Sequence, residues 1–254
     1  MTKLASLGVI ACALFALPAA RATNIFVANY SFETDVLAQG DNSTSAPTGW
    51  QAVGPNGAYG VYNPNVGNPG PGVNAGGSSE GTDVPDGVQV GYLSNAYFLQ
   101  DVGTTVLANT TYTLSVYLGF QYEESLPPGY GIELLDPTVC GLGQNCYSVY
   151  AEGGNADFNS LFTPSYTVGT STICTTPTQG NFALCTISFD SAVLPGLVGD
   201  ELGVALSAPT IGGQLLVDDV HLNYQSDTTP EPGSIGLALL GLGAFTALWR
   251  RKSA

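Results

Sequence analysis

Thr111-Tyr112-Thr113-Leu114-Ser115-Val116-Tyr117-Leu118-Gly119-Phe120 sets one face against the other. Tyr112, Leu114, Val116, Leu118 and Phe120 fall on one side, and Thr111, Thr113, Ser115 and Tyr117 on the other. That period of two is what a strand buried on one face requires. Asn109-Thr110 supplies a turn immediately before it. Shorter segments of strand character lie on both sides: Asn24–Ser31, Gly87–Leu93, Tyr97–Val102, Tyr130–Leu135, Tyr147–Ala151, Phe182–Phe189, Glu201–Ser207 and Gln214–Asn223. Ser94-Asn95-Ala96 between the second and third of these reads as a hairpin turn. No long stretch of 3.6-residue apolar period occurs outside the two termini. About nine short strands punctuated by Gly and Pro predict an all-β, antiparallel two-sheet sandwich of jelly-roll type. Its core is expected from the apolar faces above together with Phe32, Ile187, Phe189, Val204, Leu206, Val220 and Leu222.

Gly54–Gly87 interrupts this pattern. Its 34 residues include ten Gly and five Pro, which predicts a long surface loop. Trp50, Tyr59 and Tyr62 in and before it are the candidate glycan-contact residues, because aromatic faces stack on pyranose rings. Tyr92, Tyr97, Tyr122 and Tyr130 are further aromatics of the same kind, although Tyr also suits strands without any ligand.

Charge is sorted along the chain. All five Lys and Arg are at the ends: Lys3, Arg21, Arg250, Arg251 and Lys252. All 20 Asp and Glu lie from Glu33 to Glu231, where the one basic-capable side chain is His221. Such a body repels nucleic acid and anionic lipid, so neither is expected as a partner. Its clustered carboxylates have to be spaced apart, protonated or neutralised by metal ions.

The ends read as addresses. Lys3, the apolar Leu4–Leu17 and the small-x-small Ala20-Arg21-Ala22 form a signal peptide over residues 1–22, with the mature chain starting at Thr23. Residues 23–225 are the sandwich domain and 226–229 a polar linker. Residues 230–254 form an anchor: Pro230-Glu231-Pro232, an apolar run Ser234–Trp249, then Arg250-Arg251-Lys252. Sixteen residues rise about 24 Å as a helix, just short of a bilayer core of ~30 Å. The reading is a single C-terminal transmembrane helix with its cations on the cytoplasmic side. Cys140, Cys146, Cys174 and Cys185 remain in the exported part, an even number in an oxidising compartment. Cys140–Cys146 and Cys174–Cys185 are the favoured pairs, because each closes a short loop. Zinc prefers tighter spacings.

No HExxH, GxSxG or GxxxxGK[ST] pattern is present. Adjacent carboxylates such as Glu123-Glu124 and Asp218-Asp219 point to opposite faces of a strand. The reading is therefore of a non-enzymatic protein with no catalytic residue, with glycan binding as the alternative and a hydrolase built on distant, converging carboxylates as the third.

The three-part C-terminus resembles the PEP-CTERM sorting signal of Gram-negative bacteria, carried by Pro230, Glu231, Pro232, Arg250, Arg251 and Lys252. That resemblance implies an exosortase as partner and transient anchoring in the inner membrane. It also implies delivery to the cell surface or extracellular matrix, in association with exopolysaccharide and biofilm. The body resembles galactose-binding-like jelly rolls through Asn29-Tyr30-Ser31-Phe32-Glu33, Asn109-Thr110-Thr111-Tyr112-Thr113-Leu114 and Leu216-Val217-Asp218-Asp219-Val220-His221-Leu222. Tyr30 departs from the usual Gly. This second resemblance implies a structural calcium ion (Ca2+) tying the first strand to the last through Glu33 and Asp218, with Asp219 as the alternative ligand.

Overall fold

The computed structural model describes residues 22–64, 84–121, 124–137, 149–154 and 172–227, with only the backbone given for 149–154 and 172–173. Residues 1–21 of the expected signal peptide, Cys140 and Cys146 of the expected pair, Tyr122 and the expected C-terminal anchor lie outside the described residues.

Thirteen strands occur among the described residues: β1 (Thr23–Ile25), β2 (Asn42–Ser43), β3 (Gln51–Val53), β4 (Tyr59–Tyr62), β5 (Val90–Leu93), β6 (Ala96–Thr105), β7 (Thr110–Gly119), β8 (Gly131–Leu135), β9 (Val149–Gly154), β10 (Thr172–Cys174), β11 (Phe182–Asp190), β12 (Glu201–Ala208) and β13 (Leu215–Ser226). They form two antiparallel sheets. The larger has the order β10-β11-β7-β13-β5-β4-β2, with β1 also pairing β13; the smaller has the order β3-β6-β12-β8-β9. The fold is the all-β two-sheet jelly-roll sandwich that the alternation predicts.

The opening stretch becomes β7, between β11 and β13. Tyr112, Leu114, Val116 and Leu118 enter the core, where they meet Ile187, Phe189, Val204, Leu206, Val220 and Leu222. The Tyr112 hydroxyl accepts the Leu107 N–H at 2.8 Å and so fixes the turn that delivers the chain into β7. Tyr112→Phe leaves that N–H unsatisfied while keeping the ring. It should cost about 1–3 kcal/mol of stability, read as a lower urea midpoint with an unchanged slope.

Three expectations are corrected. Asn24–Ser31 is not one strand: β1 ends at Ile25, and the chain turns through Asn29 and Phe32, both at positive φ. That turn swings the Phe32 ring into the core. Residues 87–102 do not form a hairpin. β5 belongs to the larger sheet and β6 to the smaller, so Ser94-Asn95 carries the chain across the sandwich. Leu93 before this crossing and Ala96 and Phe98 after it all pack inward, which a hairpin within one sheet would not need. Finally, Gly54–Gly87 is not wholly loop, because Tyr59–Tyr62 pairs with both β5 and β2.

β13 also carries a bulge between Asp218 and His221. It resets the alternation so that Val217 before it and Val220 and Leu222 after it all reach the core.

Candidate functional site

The inner face of the smaller sheet takes Ala96 and Phe98 of β6, Ile132 and Leu134 of β8, and Leu202, Val204, Leu206 and Ala208 of β12 into the core. The alternate positions necessarily fall on its other face. There the central strand β12 presents only small groups, Gly203, Ala205 and Ser207. Tyr97 and Leu99 stand opposite Ser207 and Ala205 from β6, while Gly131, Glu133 and Leu135 flank them from β8. Small residues between larger ones leave a strip of low relief along β12, the trough, and all of its residues are buried. A Cβ on Gly203 would lie 3.0 Å from the Gln100 carbonyl and 3.1 Å from Pro137, so that end has no room for a side chain.

Tyr97, Leu99, Leu135 and Ala205 form an apolar cluster of their own, joined by Val53 and separate from the main core. Into it project a fully buried carboxylate, Glu133, and a fully buried hydroxyl, Ser207. Ser207 Oγ lies 3.3 Å from Glu133 Oε1 and 3.4 Å from the Gly131 carbonyl. Burying a carboxylate among aliphatic side chains is costly, and such placements are enriched where protons are moved. The sequence reading missed this group. The available signal was one Glu inside Gly131-Ile132-Glu133-Leu134-Leu135, a run that otherwise reads as continuously apolar.

The metal candidates Glu33 and Asp218 meet at a different place. Glu33 Oε1 accepts the N–H groups of Val88 and Gln89 at 2.7 and 2.6 Å. Asp218 accepts the N–H of Asp86 at 2.9 Å through Oδ2 and that of Asp219 at 2.8 Å through Oδ1. The two carboxylates thus grip one Asp86-Gly87-Val88-Gln89 turn from both sides. Gly87, at φ +74, is required there because a Cβ would collide with Glu33. Burial pushes Asp218 up to about 8, against the lowering pull of its two peptide donors, and the neighbouring Asp219 and Asp86 charges raise it further. Among the described residues no group of three or more His, Cys, Asp or Glu converges as a metal shell. Glu33 and Asp218 each already accept two main-chain N–H donors, and their remaining lone pairs are hard oxygen donors of the kind calcium would take. Asp219 instead turns to His221, whose Nε2 is 2.6 Å from its Oδ1.

The glycan candidates are corrected. Trp50 is 5% exposed and lies in the core against Phe32 and Phe98, with centroids at 5.8 and 6.1 Å. Tyr59 sits edge-on to Phe98. Tyr62 is buried, and burial pushes its phenol up to about 12. Tyr92 and Tyr130 are buried as well. Trp50, Tyr62, Tyr92 and Tyr130 offer a sugar no open face, whereas Tyr59 is only partly buried against the core. Cys174 stands opposite Cys185 across β10 and β11 and is bonded to it, as the favoured pairing has it.

The sheet order defines a jelly-roll domain that encloses the Glu133 carboxylate beside its core. Residues 23–223 match the HpiC1-like family, described as HpiC1 cyclase, and the chain belongs to that family. Residues 228–252 match the PEP-CTERM protein-sorting motif, so the C-terminus is the sorting signal that its three parts indicate. No curated protein gives a significant sequence match. Among solved structures, an apo form cyclase from Fischerella sp. is 22% identical, with 82% of this chain and 98% of that one covered at a TM-score of 0.59. A Stig cyclase from Fischerella sp. TAU in complex with (3Z)-3-(1-methyl-2-pyrrolidinylidene)-3H-indole is 21% identical, with 82% and 100% covered, also at 0.59. A cyclase from the same organism in complex with 4-(1H-indol-3-yl)butan-2-one is 22% identical, with 81% and 100% covered, at 0.57. At these identities the likeness establishes the fold. Family membership gives more weight to a catalytic or ligand-binding role than the absence of motifs had suggested.

Proposed function

We propose that the body is an exported ligand-binding domain of cyclase type, whose trough over Ala205 and Ser207 takes a small, largely apolar molecule and whose Glu133 exchanges a proton or hydrogen bond with it. The observation that carries this reading is the fully buried Glu133 beside Ser207 on an apolar face outside the main core. Ligand sites commonly combine an apolar lining with one or two polar groups that fix orientation. Tyr97 and Leu99 would hold an aromatic ring against one wall. Glu133 would accept from a ligand N–H when ionised or donate when neutral. The indole-bearing ligands of the Fischerella structures support an aromatic heterocycle as the first class to try.

The test is calorimetric titration of the exported protein with 4-(1H-indol-3-yl)butan-2-one. Saturable binding is expected. Glu133→Gln should weaken it roughly tenfold, the value of one hydrogen bond to a charged group, and Ala205→Leu should abolish it by filling the trough. Saturable binding that both variants leave unchanged would place the site elsewhere.

The PEP-CTERM motif supports a second, compatible reading. An exosortase processes the tail, the inner membrane holds the chain until then, and the body joins the cell surface or a polysaccharide-rich matrix without need of turnover. Calcium at Glu33 and Asp218 is proposed alongside it as a structural ion.

A further inference from the structure

Among the described residues, three of the five non-glycine residues at positive φ gather at one place: Asn29, Phe32 and Asp219. The other two, Asn95 and Asn109, are asparagines, which tolerate that conformation well. Asp219 tolerates it too, but Phe32 does not, and backbone strain of this kind collects where side chains are being aimed for a task. The two segments are tied together by the Val220 N–H, which donates to the Tyr30 carbonyl at 3.0 Å. Between them the turn at residues 29–32 and the bulge in β13 present Tyr30 and His221 outward, ring centroids 5.2 Å apart and planes inclined by 32°. His221 is 56% exposed. β1 ends with Ile25 opposite Leu222, so Phe26 leaves the sheet one residue beyond the last pair, on the side from which His221 also follows along β13. Phe26 is 79% exposed and does nothing for the core. Two carboxylates rim these rings. Asp219 bonds the His221 imidazole, and the nearby Asp86 carboxylate holds the Tyr30 phenol above its usual range.

We propose that Phe26, Tyr30 and His221, rimmed by Asp86 and Asp219, are a surface site for an uncharged pyranose chain. Open aromatic faces receive the C–H face of a sugar, and carboxylate and imidazole groups at their edges take its hydroxyls. The charge of the surrounding body excludes the anionic polysaccharides. From Glu33 to Glu231 there is no Lys or Arg, so uronic acid chains meet repulsion at every approach. The site lies on the β1–β13 side of the larger sheet, whereas the trough belongs to the outer face of the smaller one. It therefore stands independently of the small-ligand reading.

Native gel electrophoresis of the exported protein through dextran, galactan, xylan or alginate tests it. Retardation by at least one uncharged polymer and none by alginate is expected. Phe26→Ala and Tyr30→Ala should each weaken that retardation roughly fivefold or more, as the loss of a stacked ring implies. Phe26→Ala should leave the melting temperature unchanged, because the ring packs against nothing internal, so it remains a clean probe if Tyr30→Ala disturbs the turn. Ala205→Leu should have no effect on retardation, whatever it does to indole binding. The proposal is overturned if no uncharged polymer retards the protein, if alginate does so equally, or if Phe26→Ala retains full retardation.

Discussion

Raising the pH from about 5 to about 9 should lower the melting temperature by roughly 10 °C, a loss of about 4 kcal/mol centred on Asp218. The sign follows from where the proton is held. Asp218 is wholly buried, and desolvation lifts its folded-state pKa from 3.8 to about 8. Its unfolded value is the ordinary carboxylate one, so the native state binds this proton more tightly than the unfolded chain does. The contribution is fully present below about pH 4 and is lost as pH rises through about 8. Repulsion among the other carboxylates acts in the same direction, so a control is needed to isolate the residue. Asp218→Asn keeps the shape and cannot ionise. It should flatten the profile, at the expense of one of the two peptide N–H bonds that Asp218 accepts. A bound calcium ion works in the opposite sense, because it holds the carboxylate ionised and supplies the missing positive charge. If the calcium proposal holds, added calcium raises the melting point most at pH 9, and EGTA removes that gain. Identical melts with calcium and with EGTA would retire the ion and leave the proton as the neutraliser. A wild-type profile as flat as that of Asp218→Asn would retire the buried-charge argument itself.

What could be read from the chain depended on the range of the interaction that decides each feature. β7 was legible because its alternation is local and runs through ten residues, and β11 for the same reason, whereas β12 is buried on both faces and β13 breaks its alternation at the bulge, so their presence but not their parity was legible. The crossing at Ser94-Asn95 was not, since the same turn residues serve a hairpin or a passage between sheets. Only the distant partners, β13 and β4 for β5, and β12 and β3 for β6, decide which it is. β4 was hidden because Gly60 and the surrounding Pro and Gly dilute a four-residue signal, yet Gly60 is there for packing: a Cβ would overlap the Ser43 carbonyl. Glu33 and Asp218 were found through resemblance, and the turn they share at residues 86–89 needed coordinates. Glu133 escaped because a two-sided buried strand lacks the alternation that would have marked its polar position as unusual.

Trp50→Ala should unfold the protein more readily by about 3–5 kcal/mol, the usual cost of deleting a large aromatic from a packed core. The sequence placed Trp50 at the edge of a Gly/Pro-rich loop, where an indole is easily taken for a sugar platform. The positive φ of Phe32 alters that reading, because it directs the Phe32 ring inward to lie nearly parallel to Trp50, at 23°, with Phe98 closing the group at 5.9 Å from Phe32. The indole N–H donates to the Asn29 carbonyl at 3.3 Å, so the same side chain also pins the strained turn that aims Tyr30. Removing it empties the centre of three rings and releases the turn together. Trp50→Phe keeps the stack and loses only the Asn29 bond, so it should recover most of the stability. Trp50 and Trp249 are the two tryptophans of the chain, and Trp249 closes the apolar C-terminal run. In protein from which the tail has been processed, intrinsic fluorescence therefore follows Trp50 alone, blue-shifted when folded and moving to the red through the melt. A Trp50→Ala protein that melts with wild type but no longer binds uncharged polysaccharide would reverse the assignment and return this residue to the surface role its loop suggested.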